Sequence, residues 1–192
     1  IVTGVQTCAL PICQTAEPEL SSEAQKIVQS VGAEGELQRI LNIRVPELIA
    51  YQNQAYAQTY ADYVSKVVTA ESNMGDGELS QQVARYLYKL MAYKDEYEVA
   101  RLHLKTAFSD AISQEFGPNS NVRFMLHPPL LRAIGMKNKI ALGSWIRPFF
   151  RLLANMKRLR GGPFDIFGKV EVRREEQKLA SEYQLMIDRV LS

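Results

Sequence analysis

The chain has 192 residues and a mass of 21.7 kDa, enough for one domain of ordinary size or one domain and a fragment. Hydrophobic residues make up 46% of it and charged residues 23%, which excludes a disordered or fibrous protein. The net charge of +2 argues neither for nor against a nucleic-acid partner. Two cysteines and two histidines leave too few ligands for a metal cluster.

The first segment, residues 1–13, differs in character from the rest because it carries no charge. A secretory leader would need a basic n-region and an unbroken apolar run, and this segment has neither. Residues 2–12 instead resemble the translation of a sequencing adapter, a piece that occurs at contig ends in metagenomic assemblies. We therefore expect residues 1–13, with Cys8 and Cys13, to be adapter-derived, and the chain to be the C-terminal fragment of a longer protein.

The next segment, residues 14–35, is acidic and polar and is interpreted as a linker or the tail of a preceding domain. Residues 36–192 are predicted to form one mainly α-helical domain of about five helices. Its first long helix is expected to start at Pro46, since proline suits the first helical turn, and to end in the Gly-containing segment 71–78. Ser80 is predicted to cap a second long helix, whose apolar pattern continues to about residue 116.

The second half of the domain is predicted to hold a short two-stranded β element near 121–142, followed by two more helices. The first runs from about Pro148 to Leu159, and its expected core-facing residues are Phe149, Leu152, Leu153 and Met156. The second covers about 172–191, and the residues expected on one face of it are Leu179, Tyr183, Met186 and Val190. The most apolar stretch of the chain, residues 140–156, contains Arg147 and Arg151. Arginines within it argue against a membrane span, so we expect a soluble protein.

One basic segment stands out on an otherwise acidic chain: residues 132–174 hold eleven Lys and Arg against two Asp and Glu, a charge of +9. The cations expected largely outside the core are Arg147, Arg151, Lys157, Arg158 and Arg160. Aromatic residues lie between them, a pattern that nucleic-acid-binding proteins share. Because helical spacing explains the aromatic residues as core, we favour a solvated or partner-facing surface over a nucleic-acid groove.

The densest cluster of charges lies in residues 92–102. Glu98 follows Lys94 by four residues and precedes Arg101 by three, so these side chains can form ion pairs along one helix surface. Asp95 and Glu98 together would allow an acid–base carboxylate pair. The cations beside them favour a charged helix edge or a clamp at a domain interface instead.

Other motifs are incomplete. The sequence 75–77, Gly-Asp-Gly, begins a thiamine-diphosphate signature, but the Asn-Asn pair that completes it is absent, so a helix-ending turn is favoured. His103 and His127 have no partner at metal-ligand spacing and are expected to be structural. A P-loop, a dinucleotide-binding glycine motif and a G-x-S-x-G elbow are all missing from the sequence.

The stretch YLYKLMAYKDEYEVARL (86–102) resembles the C-terminal domain of the long, single-chain bacterial indolepyruvate (arylpyruvate) ferredoxin oxidoreductases, a domain of unknown role. Further stretches agree in the same order, and the resemblance covers about residues 35–192. They are PELIAYQNQAYAQTYADYV, VRFMLHPPLL, GSWIRPFFRLLANMKRLRGGPFDIFG and RREEQKLASEYQLMIDRVL. Residues 14–35 would then be the end of the family's γ-type domain or a linker from it.

The resemblance implies a cytoplasmic, homo-oligomeric parent that oxidatively decarboxylates aryl 2-oxoacids to acyl-CoA and reduces ferredoxin. Thiamine diphosphate, Mg²⁺, 4Fe-4S clusters and CoA would all be bound upstream, so no cofactor, metal or catalytic residue is assigned to this fragment. We expect neither a nucleic-acid nor a membrane partner.

Within such a parent the domain would be structural, packing on the rest of the chain, or would dock the electron partner ferredoxin. The candidate interface residues are Lys94, Asp95, Glu98, Arg101, Arg147, Arg151, Lys157, Arg158 and Arg160. The alternative is a stand-alone helical interaction module with a basic surface.

Overall fold

The computed structural model is mainly α-helical, as predicted. The residues that it describes are 20–72, 75, 77–117, 122–126, 138, 140–165, 167–168 and 171–192. Within these ranges lie eight α-helices, two short strands and two 3₁₀ turns. The number of helices exceeds the predicted five or so because turns with side-chain caps break both of the long helices expected between residues 46 and 116.

The helices are α1 (Ser22–Val31), α2 (Gly35–Tyr51), α3 (Gln54–Glu71), α4 (Glu78–Met91), α5 (Glu96–His103), α6 (Thr106–Phe116), α7 (Arg147–Asn155) and α8 (Glu171–Leu191). The strands are β1 (Phe124–Leu126) and β2 (Ile140–Leu142), and the 3₁₀ turns are Ser144–Ile146 and Met156–Leu159. The chain divides into two compact units. The first extends to Tyr88 and includes Leu191, and the second covers Lys89–Val190 and Ser192.

The first unit is built on α1, α2 and α3, which pack against one another. Helix α1 buries Ala24, Ile27, Val28 and Val31, a 3–4 spacing that places all four on one face. It ends at Gly32, whose φ of 66° is a left-handed conformation that glycine adopts without steric cost. This helix lies inside the segment 14–35, whose origin as a linker or the tail of a preceding domain stays a prediction.

Pro46 does not start a helix, so that prediction is wrong: it lies inside α2, which begins at Gly35. A proline there has no N–H to give to the carbonyl of Asn42, and this weakens the helix. Buried apolar residues on both sides, such as Leu41 and Leu48, pack into the core and keep the helix continuous. Helix α2 ends at Tyr51. Asn53 then caps α3, since its side chain accepts a hydrogen bond from the Tyr56 amide at 2.9 Å.

Glu71, the last residue of α3, caps the start of α4. Its buried carboxylate accepts hydrogen bonds from the amides of Leu79 and Ser80, both at 2.8 Å, and from the Ser80 hydroxyl. The predicted cap, Ser80, is therefore wrong: it lies within the first turn of α4. A carboxylate suits this position because the first amides of a helix lack internal partners and carry partial positive charge.

The second unit places α5 against α7 beside a two-stranded antiparallel β pair. The predicted strand pair is confirmed: β1 and β2 are antiparallel, with Phe124 opposite Leu142. Phe124 packs with Ala100, Ile146 and Phe150 in a buried cluster. None of the helices in the described ranges is both long and apolar enough to cross a membrane.

We expect Glu71→Ala to lower the free energy of unfolding by about 1–3 kcal/mol, because it removes a helix cap and leaves the buried Ser80 hydroxyl without its acceptor. Glu71→Gln keeps one acceptor oxygen and should lose less. Urea unfolding of the 192-residue chain, followed by circular dichroism, measures both. Equal stability of Glu71→Ala and the wild type would contradict the capping role.

Candidate functional site

A buried ion pair links the most charged motif of the sequence, residues 92–102, to a distant segment. Arg160, directly after the second 3₁₀ turn, binds Asp95 through two hydrogen bonds, Nε to Oδ2 at 2.5 Å and an NH2 donor to Oδ1 at 2.8 Å. Both side chains are only 4% exposed. Asp95 also caps α5, since its Oδ1 accepts from the Glu98 amide at 2.8 Å. One carboxylate therefore starts a helix and fixes a segment 65 residues away.

A second buried carboxylate, Asp165, organises the glycine-rich loop that follows. Its oxygens accept hydrogen bonds from the amides of Gly161 (2.8 Å), Phe167 (3.2 Å) and Gly168 (2.9 Å). A side chain on Gly168 would overlap the Asp165 carboxylate, so the loop requires glycine there. Asp165 thus fixes the positions of these three amides within the sequence GGPFDIFG.

Tyr97 contacts Asp165 and also Arg160, the arginine that binds Asp95. Its hydroxyl donates to Asp165 at 3.3 Å, and the Arg160 guanidinium lies 5.6 Å from the centre of its ring. Burial raises the pKa of the Tyr97 phenol to about 12, and the charge of Asp165 and its hydrogen bond add to the effect. The phenol therefore stays protonated as a donor at neutral pH.

Glu96, Glu98 and Arg101 of the motif are also paired. Lys94 is exposed, and the ion pair expected between it and Glu98 is not among those that the structure shows. Arg101 binds the buried Glu98 through two hydrogen bonds of 2.8 and 2.7 Å, which confirms the ion pair expected from their spacing. Arg173 of α8 bonds Glu176 at 2.7 Å and reaches Glu96 at 3.4 Å. Asp95 and Glu98 are thus each held by an arginine of their own chain.

The nine predicted interface residues fall into two groups. Asp95, Glu98 and Arg160 are buried, so the expectation that Arg160 lies largely outside is wrong. The reason is the ion pair with Asp95, which sequence spacing alone does not reveal. The others lie at the surface or partly so: Lys94, Arg151 and Arg158 are exposed, and Arg101, Arg147 and Lys157 are half-buried. Whether any of the nine contacts a partner stays a prediction.

The orientation of α7 also differs from the expectation. Phe149 and Leu152, expected in the core, are 50% and 57% exposed, whereas Phe150 is buried. Leu153 packs partly buried against the cluster around Phe150, and Met156 is half-buried. The helix therefore faces inward with the row Ile146, Phe150 and Leu153, one residue out of phase with the predicted row.

His103 is enclosed by aromatic rings. Its imidazole stacks on Phe150 at 5.3 Å between centroids and meets Phe124 edge-on at 5.1 Å. Burial lowers the pKa of His103 below its ordinary value of 6.5. These contacts suit the structural role predicted for it, while His127 and Asp76 lie outside the described residues. In the part of the chain that the structure describes, no three His, Cys, Asp or Glu side chains are grouped to hold a metal ion.

Sequence reasoning missed two members of this network, Tyr97 and Asp165. A signal for Asp165 was present, because it is the only acidic residue between Glu115 and Glu171 and lies among three glycines. An isolated Asp in such a loop commonly accepts hydrogen bonds from neighbouring amides. Tyr97 gave no comparable signal, since tyrosines recur along the whole helical region.

Fold and site together define a mainly helical domain whose charged motif is engaged in its own packing. A family model described as a family of unknown function, DUF6537, matches residues 37–192, and the chain belongs to that family. No curated protein and no solved structure matches the chain.

We expect Arg160→Ala to destabilise the chain by about 3–5 kcal/mol, because it leaves the Asp95 carboxylate buried without its counter-charge. Arg158→Ala, which removes an exposed arginine two residues away, should change stability by less than about 0.5 kcal/mol. Urea unfolding midpoints give both values. A loss of similar size in the two variants would show that the Asp95–Arg160 pair does not account for the loss of stability in Arg160→Ala.

His103 should make stability depend on pH. The unfolded chain takes up a proton near pH 6.5 and the folded chain only at lower pH, so unfolding becomes easier as the pH falls below 6.5. His103→Phe keeps an aromatic ring and cannot titrate. We expect the wild type to lose more stability than this variant between pH 7.5 and 5.5 in urea unfolding, and parallel losses would contradict the assignment.

Proposed function

We propose that this chain is the C-terminal part of a 2-oxoacid:ferredoxin oxidoreductase of the indolepyruvate (arylpyruvate) type and that it serves there as a non-catalytic domain. The family match, to a family of unknown function, leaves this activity open. Support comes from the ordered stretches that resemble the C-terminal domain of those enzymes. Thiamine diphosphate, Mg²⁺, 4Fe-4S clusters and CoA would be bound by the preceding part of the parent.

One observation carries the non-catalytic role. Two of the stretches behind the resemblance, 86–102 and 143–168, meet in the second unit through Asp95–Arg160 and Tyr97–Asp165. Catalytic acids and bases must be reachable by a substrate in a reactive state. Here the buried carboxylates instead accept hydrogen bonds from their own chain, which is the behaviour of an architectural core.

The test begins with the coding sequence upstream of residue 14. We expect a continuous reading frame that encodes a complete thiamine-diphosphate signature and cluster cysteines. The encoded full-length protein should reduce methyl viologen in the presence of indolepyruvate and CoA, and the 192-residue chain should not. A start codon just upstream of native codons for residues 1–13 would contradict the proposal and favour the stand-alone interaction module.

Ferredoxin docking is the second candidate, and it is favoured by the charge of the second unit. No Asp or Glu occurs between Glu115 and Asp165, while Arg151 and Arg158 are exposed within that interval. Burial lowers the pKa of Lys157, and the neighbouring positive charges of Arg101, Arg160 and Arg158 lower it further. Such a concentration of cations attracts an acidic protein and speeds its association at low salt.

Charge reversal tests this role in the full-length enzyme. Arg151→Glu, Lys157→Glu and Arg158→Glu combined should slow ferredoxin reduction about tenfold or more at low salt, with methyl viologen reduction unchanged. The matched control reverses three exposed cations elsewhere, Lys26, Lys66 and Arg189. An unchanged rate and salt dependence, or an equal loss in the control, would contradict docking through this surface.

A further inference from the structure

Two apolar rows run along the 3₁₀ turn Ser144–Ile146 and α7, and only one of them is used by the core. The buried row consists of Ile146, Phe150 and Leu153. The second row, Trp145, Phe149 and Leu152, has the same spacing shifted by one residue, so it lies about 100° around the helix axis. Its members are 70%, 50% and 57% exposed. Large apolar side chains grouped in this way at a surface mark interaction sites more often than isolated ones do.

The backbone that carries the exposed row is fixed by the buried face of α7. The indole of Trp145 lies over Gly143, where a side chain would come within 3.2 Å of the ring. Phe149 and Leu152 belong to a regular helix fixed to α5 by its buried face. A surface that is ordered before binding loses less conformational entropy when a partner arrives.

Cations lie along the other side of the exposed half of α7. Arg147 and Arg151 are four residues apart and therefore form a row of their own. Arg151 precedes Leu152, so these two side chains leave the helix about 100° apart, with the solvent-facing side of the helix between them. Arg158 extends the positive charge beyond the end of α7.

We propose that Trp145, Phe149 and Leu152 anchor an acidic partner protein on α7, with Arg147 and Arg151 pairing with its carboxylates. The proposal rests on the docking role given above and adds that the apolar row supplies most of the affinity, as aromatic anchors do at protein interfaces. A second copy of this chain does not fit, because two such faces would bring their arginines together. Among the described residues 144–155, the cations Arg147 and Arg151 both lie on one side of the apolar row, which suits a partner surface with one acidic edge better than a uniform anionic membrane.

The experiment measures binding of a recombinant 2[4Fe-4S] ferredoxin of strongly acidic composition to the 192-residue chain by isothermal titration calorimetry at 50 and 150 mM salt. Trp145→Ala and Phe149→Ala should each weaken binding at least tenfold at 150 mM salt while the salt dependence stays as in the wild type. Arg151→Glu should weaken binding mainly at 50 mM salt and flatten the salt dependence. Leu179→Ala, which truncates a 48% exposed leucine on α8, is the matched control and should bind as the wild type does.

The opposite results overturn the proposal. They are failure of the wild-type chain to bind the ferredoxin, equal affinities of Trp145→Ala and Leu179→Ala, or loss of binding through charge reversal alone. Binding to vesicles with 30% phosphatidylglycerol that is lost in Trp145→Ala would overturn it in favour of a membrane surface. These readouts need no catalysis, so they stay separate from the upstream-sequence and methyl viologen tests of the oxidoreductase assignment.

Discussion

The second unit depends on one buried ion pair, Asp95 with Arg160. Removing two charges from water costs several kcal/mol per ion, and only good geometry with further hydrogen bonds offsets that cost. The structure meets both conditions: the arginine binds with two donors, and the same carboxylate caps α5. Arg160 directly precedes the loop that Asp165 organises, and Tyr97 contacts both Asp165 and Arg160. The start of α5 and its link to the segment around Arg160 therefore depend on one carboxylate, Asp95, and the loop shape depends on Asp165.

This arrangement bears directly on function. Charged residues that are dense in sequence invite a catalytic interpretation, yet Asp95 and Glu98 each bind an arginine of their own chain. Exposed cations and an exposed apolar row lie on and beside α7. In the proposal made above, partner binding belongs to α7, whereas the buried ion pairs belong to the interior. The two roles use neighbouring residues, since Arg158 is exposed and Arg160 is buried.

The sequence predicted the helical class and the strand pair because local periodicity and turn residues indicate both. It did not predict which row of α7 is buried, because Ile146–Phe150–Leu153 and Trp145–Phe149–Leu152 have the same spacing and similar hydrophobicity. Only the tertiary partner, α5, decides between them. Two further features were missed. Packing overrides the local preference of Pro46 inside α2. The cap of α4 is Glu71, which belongs to the preceding helix and not to the residues next to the helix start. Long-range pairs such as Asp95 and Arg160 lie beyond any local rule.

The most direct test of the architectural role is a double-mutant cycle on Asp95 and Arg160. Unfolding free energies would be measured for the wild type, Asp95→Ala, Arg160→Ala and the double variant. If the pair is the buried interaction described above, each single change strands one charge, so the double variant should be about as stable as either single variant or more so. Losses that add up in the double variant would show that the two residues act independently, and the account of this motif as one closed network would be wrong.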